Sequence, residues 1–210
     1  MTSDTMRQAV DYLFKYCTDD STVHINFFGG EPLLAFDLIK ECVDYSRKKA
    51  AEHNKTMEYS VSTSALIVND EINDYLSENK FSVSVSIDGT KAAHDRHRKF
   101  RNQTPSYEKI VSGFEELNKK NEKILITATL THHTINEIEN YHELLSIGAN
   151  NFRFKTVTGM TSDLKLLSSD YDLIASKYEP LAEQYLMDIL NGVIYDFGDF
   201  TKWIHRLNKK

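Results

Sequence analysis

The sequence predicts an α/β fold, a partial (incomplete) parallel αβ barrel that lacks its first strand and carries a helical C-terminal extension. Helix patterns alternate with short strand patterns through the first 160 residues, and connections of this length join parallel strands. Five strands can be recognised, and the chain begins on a helix rather than on a strand. The alternation therefore favours a barrel-like sheet from which one strand is absent.

The first helix is predicted over residues 3–18, because apolar residues recur there at helical spacing behind a capping Ser3 or Asp4. A β-branched and aromatic run at 23–28 predicts the first visible strand. Three- and four-residue apolar spacing then predicts a second helix over 34–52.

The next two strands, 58–63 and 81–87, show period-two alternation of apolar and small polar residues. Between them, Asn69 or Asp70 caps a helix that is predicted to end near Asn79. This segment therefore continues the strand–helix alternation.

A helix over 106–120 precedes the strand at 124–130, and a helix over 134–146 ends before Gly148, a helix-stopping residue. The last predicted strand covers residues 151–157. Together these segments complete the five predicted strands.

The chain divides into two predicted parts, a barrel over residues 1–160 and a helical extension over 161–210. Acidic residues are concentrated in 163–199, so the composition changes there. We expect residues 163–200 to be helical, with a kink or a division at Pro180, because proline interrupts the hydrogen bonds of a helix.

Each predicted strand has one apolar and one small or polar face. Strands covered by helices on both sides are usually apolar throughout, and a packed barrel interior is rich in Val, Ile and Leu. Curved into a barrel, the polar faces would line a roomy lumen that can hold a ligand. The alternative is an antiparallel sheet with one wet face. The polar faces carry His24, Asn26, Ser60, Ser62, Ser82, Ser84, Ser86, Thr127, Thr129, Thr131, Arg153 and Lys155.

Composition limits the classes of protein to which the chain can belong. Its 210 residues, 40% hydrophobic and 27% charged, are typical of one globular domain with an appendage. A net charge of −6 argues against general nucleic-acid binding. No membrane span or signal-peptide core is visible, and two cysteines exclude a disulfide framework, so the cytoplasm is the expected compartment.

The sharpest motif is Gly29-Gly30-Glu31-Pro32, which lies between a predicted strand and a predicted helix. Two glycines allow a sharp turn and a close approach of backbone to a ligand, and proline suits the entry to a helix. At the carboxyl end of the sheet, where barrels keep their sites, the Glu31 carboxylate can hold an ammonium group. The alternative is a tight turn with a solvated glutamate.

The segment FFGGEPLLAFDLI resembles the GGEP element of radical S-adenosylmethionine (SAM) enzymes. STSALIVNDEI, SVSIDGTKAAHDRHR, TPSYEKIVSGFEEL and GANNFRFKTV are similar to further segments of that family, in the same order. The nearest subgroup is the peptide- and protein-modifying branch with a C-terminal SPASM domain, which includes anaerobic sulfatase-maturating enzymes and thioether peptide maturases. The resemblance covers residues 1–157 and continues more loosely beyond.

The resemblance implies roles for matching residues. Gly29, Gly30, Glu31 and Pro32 match the clamp on the SAM amino group. It also implies that Ser86 and Asp88 hold the ribose hydroxyls, that Arg98 faces the SAM carboxylate, and that the backbone of Val157 meets the adenine edge. The strand alternation independently puts Ser86 and Asp88 on the lumen face.

The chain departs from the family pattern at the cluster. Family members bind a 4Fe-4S cluster through three cysteines spaced C-x3-C-x2-C, and this motif is absent. Cys17 and Cys42 are not expected to be ligands, and Cys42 is interpreted as a small buried hydrophobe. Ser64-Ala65 replaces the usual Asn-Gly, so that turn receives no predicted role. We expect the chain to be the middle part of a longer enzyme, present here as a fragment, as a truncated gene or as a degenerate paralogue.

Three other features favour ordinary interpretations. The basic segment 91–101 is predicted to be a mobile, solvated loop apart from Arg98. The adjacent pair His94-Asp95 is not expected to form an acid–base dyad. His132-His133 is not expected to bind metal, since no third ligand is suitably spaced.

The leading functional interpretation is the SAM-binding barrel of a radical SAM enzyme that modifies a peptide or protein by hydrogen abstraction with a 5′-deoxyadenosyl radical. The parent enzyme would hold the cluster, and this chain alone is predicted to be inactive. The alternative is a cluster-less module of the same fold that binds a peptide or a partner. A third, from fold alone, is a barrel enzyme for phosphorylated metabolites. Neither nucleic acid nor membrane is an expected partner, and the open barrel edge predicts self-association.

Overall fold

A computed structural model describes residues 1–17, 22–121, 123–158 and 163–208. The strands are β1 (Thr22–Phe27), β2 (Thr56–Thr63), β3 (Ser82–Ser86), β4 (Leu125–Leu130), β5 (Asn151–Thr156) and β6 (Asp196–Phe197). The helices are α1 (Ser3–Tyr16), α2 (Phe36–Glu52), α3 (Asp70–Glu78), α4 (Lys91–His97), α5 (Tyr107–Asn118), α6 (His142–Ser146), α7 (Ser168–Leu190) and α8 (Gly198–Leu207). Short 3₁₀ helices span Pro32–Ala35 and Ile135–Asn140.

The six strands form one parallel sheet in the order β1-β2-β3-β4-β5-β6, so each strand pairs with its neighbour in sequence. The sheet is open, which confirms the partial αβ barrel. The parallel pairing also excludes the antiparallel alternative. Among the described residues, β1 has a strand partner on one side only.

The apolar side chains of the strands pack against the helices and form the core. Val61, Val85, Ile126 and Phe152 are fully buried there. A second, smaller cluster lies between α1 and α2 and contains Cys42, which is 4% exposed. The interpretation of Cys42 as a small buried hydrophobe is confirmed.

The C-terminal extension is only partly as predicted. The helix α7 runs unbroken through Pro180, so the predicted division there is wrong. Residues 163–200 are also not wholly helical, because Asp196–Phe197 forms β6 beside β5. Phe197 and Phe200 join the main core. The division into parts at residue 160 stays a prediction, since 159–162 lie outside the described residues.

The predicted helix over 134–146 is broken into a 3₁₀ helix and the short α6. Tyr141 lies at the junction, where its buried hydroxyl donates a 2.8 Å hydrogen bond to Asp188 of α7. This hydrogen bond to α7 fixes the chain at the point where the 3₁₀ helix and α6 meet.

The basic segment 91–101 is not a mobile loop, which corrects that prediction. It contains the seven-residue helix α4, whose N-cap Thr90 accepts a hydrogen bond from the Ala93 N–H. His94 on this helix is completely buried. The charge of the segment favours solvation, but α4 is anchored to the protein through the buried, uncharged side chain of His94.

Candidate active site

The candidate site residues converge on the carboxyl edge of the sheet. Glu31 follows β1, Ser86 ends β3, and Val157 follows β5. Because all strands are parallel, their carboxyl ends lie at the same edge, where α/β proteins bind ligands. Residues that are far apart in sequence are therefore brought to one side of the molecule.

The Glu31 carboxylate joins the turn after β1 to the turn after β2. It accepts hydrogen bonds from the Thr63 hydroxyl at 2.8 Å, from the Ser64 N–H at 2.8 Å and from the Ser64 hydroxyl at 2.5 Å. The Leu33 N–H donates a further bond at 3.2 Å. Glu31 is thus held rigidly by four donors rather than solvated.

The turn at Ser64-Ala65 has no role predicted from the sequence, yet Ser64 is a principal partner of Glu31. The signal that could reveal it is the hydroxyl pair Thr63-Ser64 at the end of β2. Parallel neighbouring strands bring that pair next to the residue after β1.

The glycines of the same turn leave space beside the carboxylate. A Cβ atom built on Gly29 or Gly30 would meet no atom of the described chain within 4 Å. Packing within the described chain therefore does not require glycine at either position, but the φ of 156° at Gly29 is one that residues with a side chain rarely adopt. Pro32 begins the 3₁₀ helix that leads into α2, as expected for a helix entry.

Asp88 and Arg98 form a bidentate ion pair. Nε of Arg98 donates to Oδ2 of Asp88 at 2.5 Å, and Nη2 donates to Oδ1 at 3.2 Å. The Thr129 N–H also donates to Oδ1, at 2.8 Å. The aspartate side chain is 6% exposed and the arginine side chain 36% exposed. Asp88 therefore holds the partly exposed guanidinium at the edge of the sheet, and Nη1 forms no hydrogen bond with Asp88.

His94 hydrogen-bonds the segments that carry this ion pair. Its Nδ1 accepts the Asp88 N–H at 3.2 Å, and its Nε2 lies 3.2 Å from the Ser106 hydroxyl. Since that hydroxyl donates to the Arg98 carbonyl oxygen at 2.7 Å, Nε2 is the protonated nitrogen of a neutral ring. Burial is the main cause that lowers the pKa of His94 to about 4.

Asp95 has a separate structural task. Its Oδ1 accepts the backbone N–H groups of Ser106 and Tyr107 at 2.8 and 2.9 Å, at the start of α5. His94 and Asp95 therefore face different partners, and the expectation that they form no dyad agrees with this geometry.

Ser86 lines a cavity of about 480 Å³ on the polar face of the sheet. The strands contribute to it most of the residues that were predicted to face the lumen, although His24, Thr129 and Thr131 do not line it. Hydrogen bonds such as that between Ser84 and Thr127 cross from strand to strand. Its polar lining consists of Asn26, Ser60, Ser62, Ser82, Ser84, Ser86, Lys123, Thr127, Asn151, Arg153 and Lys155.

Val157 extends beyond β5 with its N–H bonded to the Leu130 carbonyl oxygen at 2.9 Å. Its nitrogen thus continues the pairing of β5 with β4. Any backbone contact with a ligand falls to its carbonyl group.

His132 lies in the loop after β4, and its Nδ1 is 2.8 Å from Oδ2 of the buried Asp170 on α7. The pKa of Asp170 is lowered: burial raises it, but the hydrogen bonds from the Leu167 N–H and from His132 outweigh that effect. The pair fastens α7 to the sheet, an interaction that the sequence did not indicate.

The described residues do not fit an iron–sulfur cluster. No group of three or more His, Cys, Asp or Glu side chains among them could hold a metal ion. Cys42 is buried, and burial raises the pKa of its thiol to about 11, so the thiolate that iron requires is disfavoured. No step involving a cluster is therefore assigned to these residues.

A family model described as the radical SAM superfamily matches residues 2–145. An uncharacterized protein of Methanocaldococcus jannaschii is 31% identical over 151 residues, 71% of this chain and 51% of that protein. A cysteine-type anaerobic sulfatase-maturating enzyme of Clostridium novyi is 30% identical over 129 residues, 61% of this chain and 34% of the enzyme. The chain spans about half the length of the first relative.

Solved structures share the fold. That of anSMEcpe with bound AdoMet and Cp18Cys peptide matches with a TM-score of 0.82 at 22% identity, over 96% of this chain and 56% of that one. Streptococcus suis SuiB bound to S-adenosylmethionine matches with a TM-score of 0.58 at 14% identity, over 88% and 40%. No helix in the described ranges is long and apolar enough to cross a membrane.

Proposed function

Because the chain belongs to the radical SAM superfamily, we propose that it is the SAM-binding barrel of an enzyme that modifies a peptide or protein. The observation that carries this proposal is the convergence of a fixed carboxylate, Glu31, and a fixed guanidinium, Arg98, on one edge of the sheet. An amino acid such as the methionyl part of SAM carries the two complementary charges. The open space beside Gly29 and Gly30 supports a ligand at this edge.

Each residue then has a distinct task. Glu31 accepts hydrogen bonds from the ammonium group, and Arg98 donates to the carboxylate through Nη1, which does not bond Asp88. Ser86 donates to the ribose, and the Val157 carbonyl accepts from the adenine amine. Since the Asp88 oxygens already accept from Arg98 and Thr129, Asp88 acts by positioning Arg98 rather than by holding the ribose.

When bound, SAM would provide the chemistry for abstracting a hydrogen atom from the substrate, once its sulfonium received an electron. The described residues offer no cluster site, so we propose that this chain alone binds SAM without cleaving it. Anaerobic reconstitution with iron and sulfide, followed by iron counting after desalting, measures this directly. We expect far less than one iron per chain, and nearly four retained irons would overturn the proposal.

Calorimetric titration of the chain with SAM tests the binding role. Glu31→Gln keeps most of the shape but removes the charge, so SAM affinity should fall about 10- to 150-fold, as for a charge-assisted bond of about 1.5–3 kcal/mol. Ser86→Ala removes a neutral bond and should cost only about 0.5–1.5 kcal/mol.

The matched control is the double variant Lys99→Gln/Arg101→Gln, which removes two exposed cations near Arg98 and should bind SAM like the parent chain. Thermal unfolding of each variant separates lost binding from lost structure. The assignment is wrong if Glu31→Gln binds normally while the control does not.

The observation that favours the second candidate, a cluster-less module that binds a peptide or partner, is that the described residues offer no group of metal ligands. The same titration separates the two. Absence of SAM binding by a folded chain would leave the module as the better description.

A further inference from the structure

The lumen cavity is strongly basic although the chain is acidic. The protein carries 31 acidic and 25 basic residues, yet this cavity of about 480 Å³ is lined by Lys123, Arg153 and Lys155 and by no Asp or Glu. The rest of its polar lining consists of hydroxyl and amide groups. Such a surface offers many hydrogen-bond donors to an anion and no competing carboxylate.

The cations of the cavity have no carboxylate partner among the described residues. Across the described ranges, none of the three forms an ion pair within 4 Å. Nε of Arg153 is buried and has no hydrogen-bond acceptor there. A buried donor without an acceptor is destabilising, so its retention points to a partner that the chain does not supply.

The basic side chains also repel one another. The pKa of Lys155 is lowered by burial and then by the positive charges of Arg153 and Lys202. The nearby carboxylate, Asp199, accepts hydrogen bonds from the Phe154 N–H and from the Tyr178 hydroxyl, both at 3.3 Å, and does not line the cavity. Burial raises the pKa of Asp199, which weakens it further as a counter-charge.

We propose that this cavity is a subsite for a carboxylate of the substrate, so that the peptide to be modified presents an acidic side chain to Arg153 and Lys155. That the ligand is a peptide substrate rests on the proposed function. A guanidinium fork matches a carboxylate in shape as well as in charge. The hydroxyl rows of β2 and β3 can hydrogen-bond the neighbouring peptide groups.

The test is nuclear magnetic resonance titration of the chain, observing the Arg153 Nε–H signal. The probes are three acetylated and amidated heptapeptides, Gly-Ala-Gly-X-Gly-Ala-Gly, in which X is Glu, Gln or Lys. We expect the Glu peptide to shift this signal and to bind at least about tenfold more tightly than the Gln peptide, as for one charge-assisted bond. The Lys peptide should not bind.

Variants locate the effect. Arg153→Gln and Lys155→Gln should each weaken the Glu peptide about tenfold or more. The control, Lys48→Gln/Lys109→Gln, removes two exposed charges that do not line the cavity and should leave the affinity unchanged. Equal binding of the Glu and Gln peptides by the folded chain would overturn the subsite.

A parallel titration with SAM separates this inference from the proposed function. If SAM itself shifts the Arg153 signal and excludes the Glu peptide, the cavity binds the SAM carboxylate and the subsite proposal is wrong. If SAM binds without moving Arg153 and the Glu peptide fails to bind, the proposed function survives and only the subsite is lost. Peptide binding without SAM binding would refute the proposed function and leave the anion subsite in place.

Discussion

The backbone N–H of Asp88 donates a hydrogen bond to Nδ1 of the fully buried His94, across 3.2 Å. Through this bond, a buried ring that must stay neutral holds the backbone of Asp88, the partner of Arg98. The stability of the candidate site is therefore coupled to the protonation of a fully buried histidine.

Stability should fall as the pH is lowered from about 6.5 to about 4. The pKa of His94 is lowered to about 4 in the folded chain, against 6.5 when unfolded, and burial is the first cause. Between these values only the unfolded chain takes up the proton, so the contribution is complete above 6.5 and decreases as the pH falls. The full loss is about 3 kcal/mol.

Urea unfolding at a series of pH values measures this effect. His94→Gln should flatten the profile in that window, whereas His205→Gln, at an exposed histidine of α8, should not. Identical profiles for the parent chain and His94→Gln would contradict the role of His94.

Asp88→Asn should lower the free energy of unfolding by about 1.5–3 kcal/mol, because it removes the charge that the buried side chain shares with Arg98. It should also weaken SAM binding by freeing the guanidinium. The control is Asp74→Asn, which breaks the solvent-exposed pair with Lys120 and should cost much less. Chemical denaturation and SAM calorimetry report the two effects, and equal losses for both variants would argue against a special role for Asp88.

Gly113→Ala should destabilise the chain. A Cβ at Gly113 would lie 1.9 Å from the carbonyl oxygen of Ala65, a residue whose backbone is already left-handed at a φ of 60°. Overpacking costs about 1–3 kcal/mol, which exceeds the roughly 1 kcal/mol that alanine gains over glycine in a helix. Thermal unfolding measures the change, with the exposed Ser112→Ala on the same helix as control. Unchanged stability of Gly113→Ala would mean that α5 can move away from the turn.

The open edge of β1 should make the chain self-associate. Phe28, which follows this strand, is 78% exposed, and an apolar groove of about 320 Å³ lies between α1, α2 and β1. Unpaired strand edges recruit other chains. Light scattering over a concentration series should show association that Phe28→Lys reduces and Leu207→Lys, at an equally apolar exposed residue of α8, does not. A monomer at every concentration would count against this prediction.

The sequence by itself determined the fold class, the parallel strands and the polar lumen of this protein. Period-two alternation directly encodes which side of a strand faces the helices, and the order of elements restricts how strands can pair. The spacing of Ser82, Ser84 and Ser86 alone therefore places all three on one face. The edge that carries Glu31 and Ser86 follows from the same parallel pairing.

Only the tertiary structure decided which side chains meet. The bond from Ser64 to Glu31 joins residues 33 positions apart, and the pairing of Asp88 with Arg98 and the burial of His94 depend on how α4 packs after β3. The two-residue strand β6 is too short to show a period, so the sequence does not distinguish it from the helices on either side. Local patterns report burial, whereas hydrogen-bond and charge partners depend on distances that only the folded chain creates.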